Sequence, residues 1–132
     1  MRKVLVFGVF DGLHSGHIRF LKQAKKIKDS RLIVAIAPDN VVKKLKNRKP
    51  NANEKERLEL VKSLRVVDQA VVGDRELSSY NIVKKINPDV VCLGYDQYKL
   101  AKDIKKQLPK IKIMFAKAYE GKKLHSSKIR LA

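Results

Sequence analysis

His14 and His17 enclose Ser15 and Gly16 in the run Phe7-Gly8-Val9-Phe10-Asp11-Gly12-Leu13-His14-Ser15-Gly16-His17. Imidazoles three residues apart can aim the same way once a helix begins. An apolar strand leads into this run and an amphipathic segment leads out of it, so the pair falls at a helix amino end. Such an end offers unpaired N–H groups and about half a positive charge. Phosphate binding is the chemistry this arrangement supports, and near pH 7 rings touching phosphates can take up protons. Gly8 and Gly12 let the backbone approach a ligand closely or turn through positive φ. Taken singly, either histidine would read as an ordinary surface or capping residue.

The elements that must hold these residues alternate strand and helix. Val4 to Phe10 is a near-continuous apolar run, as expected of a parallel strand buried on both faces. His17 to Ile27 carries Ile18, Leu21, Ala24 and Ile27 at helical spacing. Leu32 to Ala37 reads as a second strand, followed by a short basic helix near Val41 to Leu45 and a polar stretch from Lys46 to Asn53. Asn53 and Glu56 have the spacing of an N-cap and its acidic N3 partner, opening a helix with Leu58, Val61 and Leu64 on one face. Val66 to Val72 reads as a third strand interrupted by Asp68 and Gln69, and Ser79 as the cap of a helix over 81–86. Val90 to Leu93 is a fourth strand, Leu100 to Leu108 a helix, and Ile111 to Phe115 a fifth strand. A last short helix is expected from Ser126-Ser127. This alternation implies right-handed crossovers. The expected fold is α/β: a single Rossmann-like, doubly wound domain over residues 1–132 with a five-stranded parallel sheet. In such folds the ligand sits beyond the carboxyl ends of the strands.

Composition narrows the function classes. A chain of 132 residues suits one domain, and a hydrophobic fraction of 44% argues against disorder. No apolar run approaches the ~20 residues that cross a bilayer, so no membrane association is expected. The Val4–Phe7 run is too short for a signal peptide's apolar core, and Asp11 and His14 stand where a cleavage site belongs. A cytoplasmic location is the default expectation. The one cysteine, Cys92, lies in an apolar run and reads as a buried strand residue. Lys and Arg number 31 against 13 Asp and Glu, a net charge of +18 that concentrates anions of any kind. Aromatic residues are sparse and not interleaved with the basic ones, and no DNA- or RNA-binding motif is visible, so nucleic acid is not the expected partner.

The first run resembles the G-x-F-D-x-x-H-x-G-H signature of the cytidylyltransferase-like nucleotidyltransferase superfamily, matching at Gly8, Phe10, Asp11, His14, Gly16 and His17. Val9 stands where many members have threonine. The resemblance implies that both histidines bind a nucleoside triphosphate and stabilise charge at its α-phosphate. Lys43-Lys44-Leu45-Lys46-Asn47-Arg48-Lys49-Pro50 occupies the place of a mobile lysine loop that closes over the triphosphate, with Lys44 and Lys46 as the candidates. A solvated charge run is the alternative. Glu54-Lys55-Glu56-Arg57 is similar to an E-x-x-R-like helix start whose arginine contacts phosphate; a structural ion pair is the alternative for Arg57. His125-Ser126-Ser127-Lys128-Ile129-Arg130 is similar to a C-terminal motif that binds the β- and γ-phosphates. The resemblance thus makes His14, His17, Lys44 and Lys46 catalytic. It assigns Gly8, Val9, Phe10, Asp11, Gly16, Arg57, Gly94, Asp96, His125, Ser126 and Ser127 to nucleotide binding. Mg²⁺ is expected to arrive with the triphosphate, keeping much of its water, and Asp11 is the carboxylate placed to orient His14 or meet the metal.

The implied reaction is in-line transfer of a nucleoside monophosphate to a phosphorylated acceptor, with release of pyrophosphate and without a covalent enzyme intermediate. Phe10 to His17, Val42 to Pro50, Leu93-Gly94-Tyr95-Asp96-Gln97 and His125-Ser126-Ser127 look similar to stretches of the small archaeal FAD synthases, which join AMP from ATP to FMN. Those enzymes carry C-terminal cysteines that this chain lacks. Glycerol-3-phosphate cytidylyltransferases, which use CTP, share the plan but carry R-T-E-G-I-S-T-T where this chain has Ala118-Tyr119-Glu120-Gly121 and an insertion. FAD synthase is therefore the leading reading, with a cytidylyltransferase second. A non-catalytic basic module binding nucleotide or nucleic acid, and an inactive nucleotide sensor, are the readings from other classes. Members of the family are often dimers, which makes a homodimer the expected assembly.

Overall fold

Val4, Leu5 and Val6 have no exposed surface at all, because the strand that carries them is central and covered on both faces. The structure is a computed structural model and describes residues 1–117. In chain order the elements are β1 (Arg2–Gly8), α1 (Ser15–Lys25), β2 (Ser30–Ile36), α2 (Asp39–Lys46), α3 (Glu54–Lys62), β3 (Gln69–Val72), α4 (Asn81–Ile86), β4 (Val90–Leu93), α5 (Tyr98–Gln107) and β5 (Ile113–Phe115). They build one α/β domain around a five-stranded sheet in the order β3-β2-β1-β4-β5, parallel throughout. β1 runs beside β2 from Arg2 opposite Ser30 to Gly8 opposite Ile36. The chain proceeds from β1 to β2 and β3 on one side, then returns to place β4 on the other. A crevice therefore opens above the carboxyl end of β1, where strand order reverses.

Alternate residues of each strand serve opposite faces. Val4, Val6, Leu32 and Val34 pack with Phe20 and Leu21 of α1 and Val61 of α3. Leu5, Ile33 and Val91 pack with Val83 of α4 and with Ala101 and Ile104 of α5. Cys92 is buried on the first face, and burial pushes its thiol up to about 11. Among the described residues no helix is long and apolar enough to cross a membrane.

Several boundaries differ from the sequence reading for local reasons. α1 starts at Ser15, two residues early, because His14 itself is the N-cap. β3 begins only at Gln69: Asp68 turns to accept from the backbone N–H of Leu32 (2.7 Å) and to pair with Lys25 (2.6 Å). Ser79 does not cap α4. Tyr80 occupies that position in a left-handed conformation, and the Asp74 carboxylate accepts the Ile82 N–H instead (3.0 and 3.2 Å). The basic helix is longer than expected and ends on Asn47 at φ 55°. α5 starts at Tyr98, before the expected Leu100, and β5 keeps only three residues.

The cap of α3 is as expected: the Asn53 side chain accepts from the Glu56 N–H (2.9 Å) while the Glu56 carboxylate accepts from the Asn53 N–H (3.2 Å). Asn53→Ala is expected to lower the urea midpoint by an amount worth about 0.5–2 kcal/mol, with the slope of the transition unchanged. A midpoint identical to wild type would show that the box contributes nothing.

Candidate active site

Where β1 ends, the backbone of Phe10 turns through φ 53°, a conformation a bulky residue adopts only when its surroundings enforce it. The turn buries the Phe10 ring (1% exposed) beneath Gly8. A Cβ on Gly8 would stand 2.5 Å from that ring, so glycine is required there for the ring rather than for positive φ; Gly12, at φ 86°, is the glycine that turns the chain. Phe10 then packs on the His17 ring, with centroids 5.3 Å apart.

The two histidines form a capping box. His14 Nδ1 accepts from the Gly16 N–H (3.0 Å), and the His14 N–H donates to His17 Nδ1 (3.2 Å). Because both Nδ1 atoms accept, the ring hydrogens belong on the Nε2 atoms. The rings lie nearly face to face, 3.9 Å between centroids with a 33° tilt. His17 is 1% exposed. Its burial, with the neighbouring His14 and the Lys46 charge, holds its pKa down at about 4. His17 is thus a neutral donor near pH 7 in the ligand-free protein, where the sequence alone suggested a readily charged ring.

Of the two candidate lysines, Lys46 is the one whose charge reaches His17 and whose side chain lines the neighbouring cavity. Lys44, exposed like Lys46, stands two residues earlier on another face of the helix and lines neither that cavity nor the one bounded by Lys43 and Lys49. Both lysines stand on α2, so this part of the basic stretch is helix and not loop.

Two assignments are corrected. Arg57 was expected to contact phosphate, but its side chain has no exposed surface. Its Nε donates to the Ala52 carbonyl (2.9 Å), Nη1 to those of Val9 (3.0 Å) and Ala37 (2.7 Å), and Nη2 to Asp39 Oδ1 (2.7 Å). It is a structural residue. Asp11 was expected to orient His14 or meet a metal. Its carboxylate, 6% exposed, accepts instead from the N–H groups of Asn51 (2.7 Å) and Ala52 (3.0 Å). Desolvation pushes its pKa up, but those two bonds and the charges of Arg57 and Arg48 outweigh it and hold the carboxyl below its ordinary value. Among the described residues no three His, Cys, Asp or Glu side chains converge as a metal site. With Asp11 committed to the backbone, this donor set does not fit a resident Mg²⁺.

Gly8 and Val9 line a cavity of about 270 Å³ at the carboxyl ends of β1, β2 and β3. Its walls are mainly apolar, with Phe7, Ala35, Val41, Leu45, Leu77 and Leu100 among them. Gly16 lies in the first turn of α1. Gly94 is buried just past β4, its N–H donating to Gln97 Oε1 (2.7 Å), and Asp96 is exposed in the following turn; it is Gln97 that reaches the cavity. His125, Ser126 and Ser127 lie outside the described residues. Sequence reasoning missed the cavity wall formed by Asp74, Ser78 and Tyr80. The available signal was position: they follow Gly73 at the carboxyl end of a strand, where ligands bind in this fold class.

The Cytidylyltransferase-like family model matches residues 5–132. The chain is 43% identical to an FAD synthase of Methanobrevibacter smithii over 96% of its own length and 86% of the relative's. It is 44% identical to an FAD synthase of Thermococcus sibiricus over 82% and 72%. Among solved structures, a lipopolysaccharide core biosynthesis protein of Thermoplasma volcanium matches with a TM-score of 0.77 and 36% identity, covering 90% of this chain and 98% of that one. The chain belongs to the cytidylyltransferase-like family. It is a nucleotidyltransferase.

Two outcomes follow from this geometry. Arg57→Met is expected to destabilise the fold by about 3–5 kcal/mol, since it strands buried acceptors and their carboxylate partner; a normally stable variant with only a raised KM for the triphosphate would restore the phosphate-binding role. His17 titrates near 4 when folded against an ordinary 6.5, so the unfolded chain takes its proton first. Its contribution to stability is therefore complete above about pH 6.5 and is lost as pH falls towards 4. Urea midpoints measured from pH 7 to 4.5 should fall in the wild type. They should stay flatter in His17→Asn, whose amide oxygen still accepts the His14 N–H.

Proposed function

We propose that this chain is an FAD synthase, transferring AMP from ATP to FMN and releasing pyrophosphate. Its similarity to the archaeal FAD synthases over most of both chains supports the choice. One structural observation supports the acceptor: the cavity lined by Gly8, Val9 and Lys46, which neither histidine lines, has mainly apolar walls. Its volume of about 270 Å³ lies just below the ~300–1,000 Å³ typical of small-molecule pockets. That suits a planar ring system better than glycerol phosphate, which has no apolar surface to bury.

In this reading a phosphate oxygen of FMN attacks the α-phosphorus of ATP in line, and the bond from that phosphorus to the β-bridging oxygen breaks. No side chain becomes covalently attached. The protein contributes positioning and charge stabilisation. The resemblance to the family motif assigns His14, His17 and Lys46 to the charge that builds on the α-phosphate and the departing diphosphate, and the Lys46 charge already reaches His17. A neutral His17 suits this task because it donates without first being buried as a cation. Magnesium enters as part of the MgATP substrate, held by phosphate oxygens and water. His125, Ser126 and Ser127 are assigned to the triphosphate by resemblance to the family motif alone.

Pyrophosphate release is expected with ATP and FMN, and not with CTP and glycerol 3-phosphate; the reverse pattern would replace this reading with a cytidylyltransferase. His17→Ala should lower kcat by roughly 10²–10³, the usual effect of losing one donor to transition-state charge. Lys46→Ala should cost more turnover than Lys44→Ala, and equal losses would remove the distinction drawn between the two lysines.

A further inference from the structure

The cavity wall facing β1 is the segment 73–80, of which Gly73, Asp74, Glu76, Leu77, Ser78 and Tyr80 line the space. Its backbone is left-handed at Ser78 (φ 63°) and Tyr80 (φ 49°), conformations that persist only when neighbouring contacts determine them. Three fastenings do so. Asp74 is tied to the start of α4, as described above. The Ser78 and Tyr80 hydroxyls both donate to Asp103 Oδ2 on α5 (2.6 and 2.5 Å). The third fastening is Arg75, which reaches away from the cavity. Its guanidinium donates to both oxygens of Glu54, one of them at 3.0 Å, and to Asn40 Oδ1 (3.3 Å). Asn40 Nδ2 donates back to the Arg75 carbonyl (2.8 Å). Glu54 also accepts the N–H of Asp39, the first residue of α2 (2.9 Å).

Those bonds join the cavity wall to the first turn of α2, whose last turn carries Lys46. α2 has eight residues and no side-chain N-cap, so tertiary ties and not intrinsic helix stability set its place. We propose that the Arg75–Glu54–Asn40 clasp is a positioning device for the transfer: by tying the 73–80 wall to α2, it fixes the acceptor cavity and Lys46 in one relation. Arg75 is not among the cavity's lining residues. Its effect passes through the wall on one side and the lysine helix on the other. Exposed ion pairs add little to global stability, and the Arg75 side chain is 62% exposed, so loosening the clasp alters geometry without unfolding the chain. The inference rests on the FAD synthase reading.

The test compares wild type, Arg75→Ala, Arg75→Lys, Glu54→Gln and the charge-matched control Arg65→Ala. Steady-state kinetics with MgATP and FMN, FMN binding followed by flavin fluorescence, and thermal melting are measured on each. Arg75→Ala is expected to raise the KM and Kd for FMN and to lower kcat, together costing roughly tenfold or more in kcat/KM, as small misplacements do. The KM for ATP and the melting temperature stay near wild type, and Arg75→Lys recovers part of the loss. Glu54→Gln, which keeps an acceptor for the Asp39 N–H, shows the same pattern and serves if Arg75→Ala proves unstable. Arg75→Ala and Glu54→Gln indistinguishable from Arg65→Ala, in an active wild-type background, would overturn the clasp and leave the activity assignment standing. A wild type that neither binds FMN nor releases pyrophosphate from ATP and FMN overturns the FAD synthase reading, and the clasp with it.

Discussion

A guanidinium with no exposed surface stays charged, so its N–H groups must find acceptors inside the protein. Arg57 finds four: the carbonyls of Val9, Ala37 and Ala52 and the carboxylate of Asp39. These atoms belong to the segment leaving β1, the segment leaving β2, the start of α2 and the approach to α3. Val9 and Ala37 each follow the end of a strand and Ala52 precedes α3, so their carbonyls lie outside the regular elements and are satisfied by the guanidinium, while Asp39 contributes its side-chain carboxylate. One cation therefore gathers four chain ends at the carboxyl edge of the sheet. Asp11 repeats the arrangement with opposite sign, drawing the N–H groups of Asn51 and Ala52 against the first turn. The histidine pair, the lysine helix and the cavity all stand on this joint.

The histidine pair is built on a smaller scale by the same logic. A capping box usually satisfies a helix start with a hydroxyl or carboxamide and a carboxylate; here two imidazoles do it. Using the Nδ1 atoms as caps sets both ring orientations and leaves Nε2 as the donor on each. Burying His17 under Phe10, with His14 and Lys46 nearby, makes its cationic form unfavourable. The candidate site thus holds a neutral imidazole within reach of the Lys46 charge. The left-handed Phe10 is the strained element of the arrangement, and Gly8 is what makes room for its ring.

Much of this was legible in the order of residues. The strand–helix alternation marked all five strands and their parallel arrangement, because buried parallel strands and amphipathic helices leave different periods in the chain. The Asn53–Glu56 box and the buried Cys92 were readable because each depends on neighbours a few positions away. In the first turn the helix start beside the histidines was readable for the same reason, but the roles of Gly8 and Asp11 were not: Gly8 makes room for the Phe10 ring, and Asp11 is held by Asn51 and Ala52, forty positions on. Boundaries failed where a distant group took over. Asp68 left its strand for Leu32 and Lys25, and Asp74 capped α4 in place of Ser79.

The residues of the chain by themselves determined the fold class, the placing of the histidine pair at a helix amino end and the membership of the family, since all three rest on local spacing and local chemistry. The tertiary structure decided which charged groups stay exposed or line the cavity and which are buried against the protein. Arg57 and Asp11 carry the same formal charges as site residues, yet burial among main-chain partners makes them scaffold. Lys46 and Lys44 differ by two positions, yet only one reaches His17. Charge is a property of a residue, but what a charge meets depends on which chain ends are brought together, and that is settled only when the sheet closes its order.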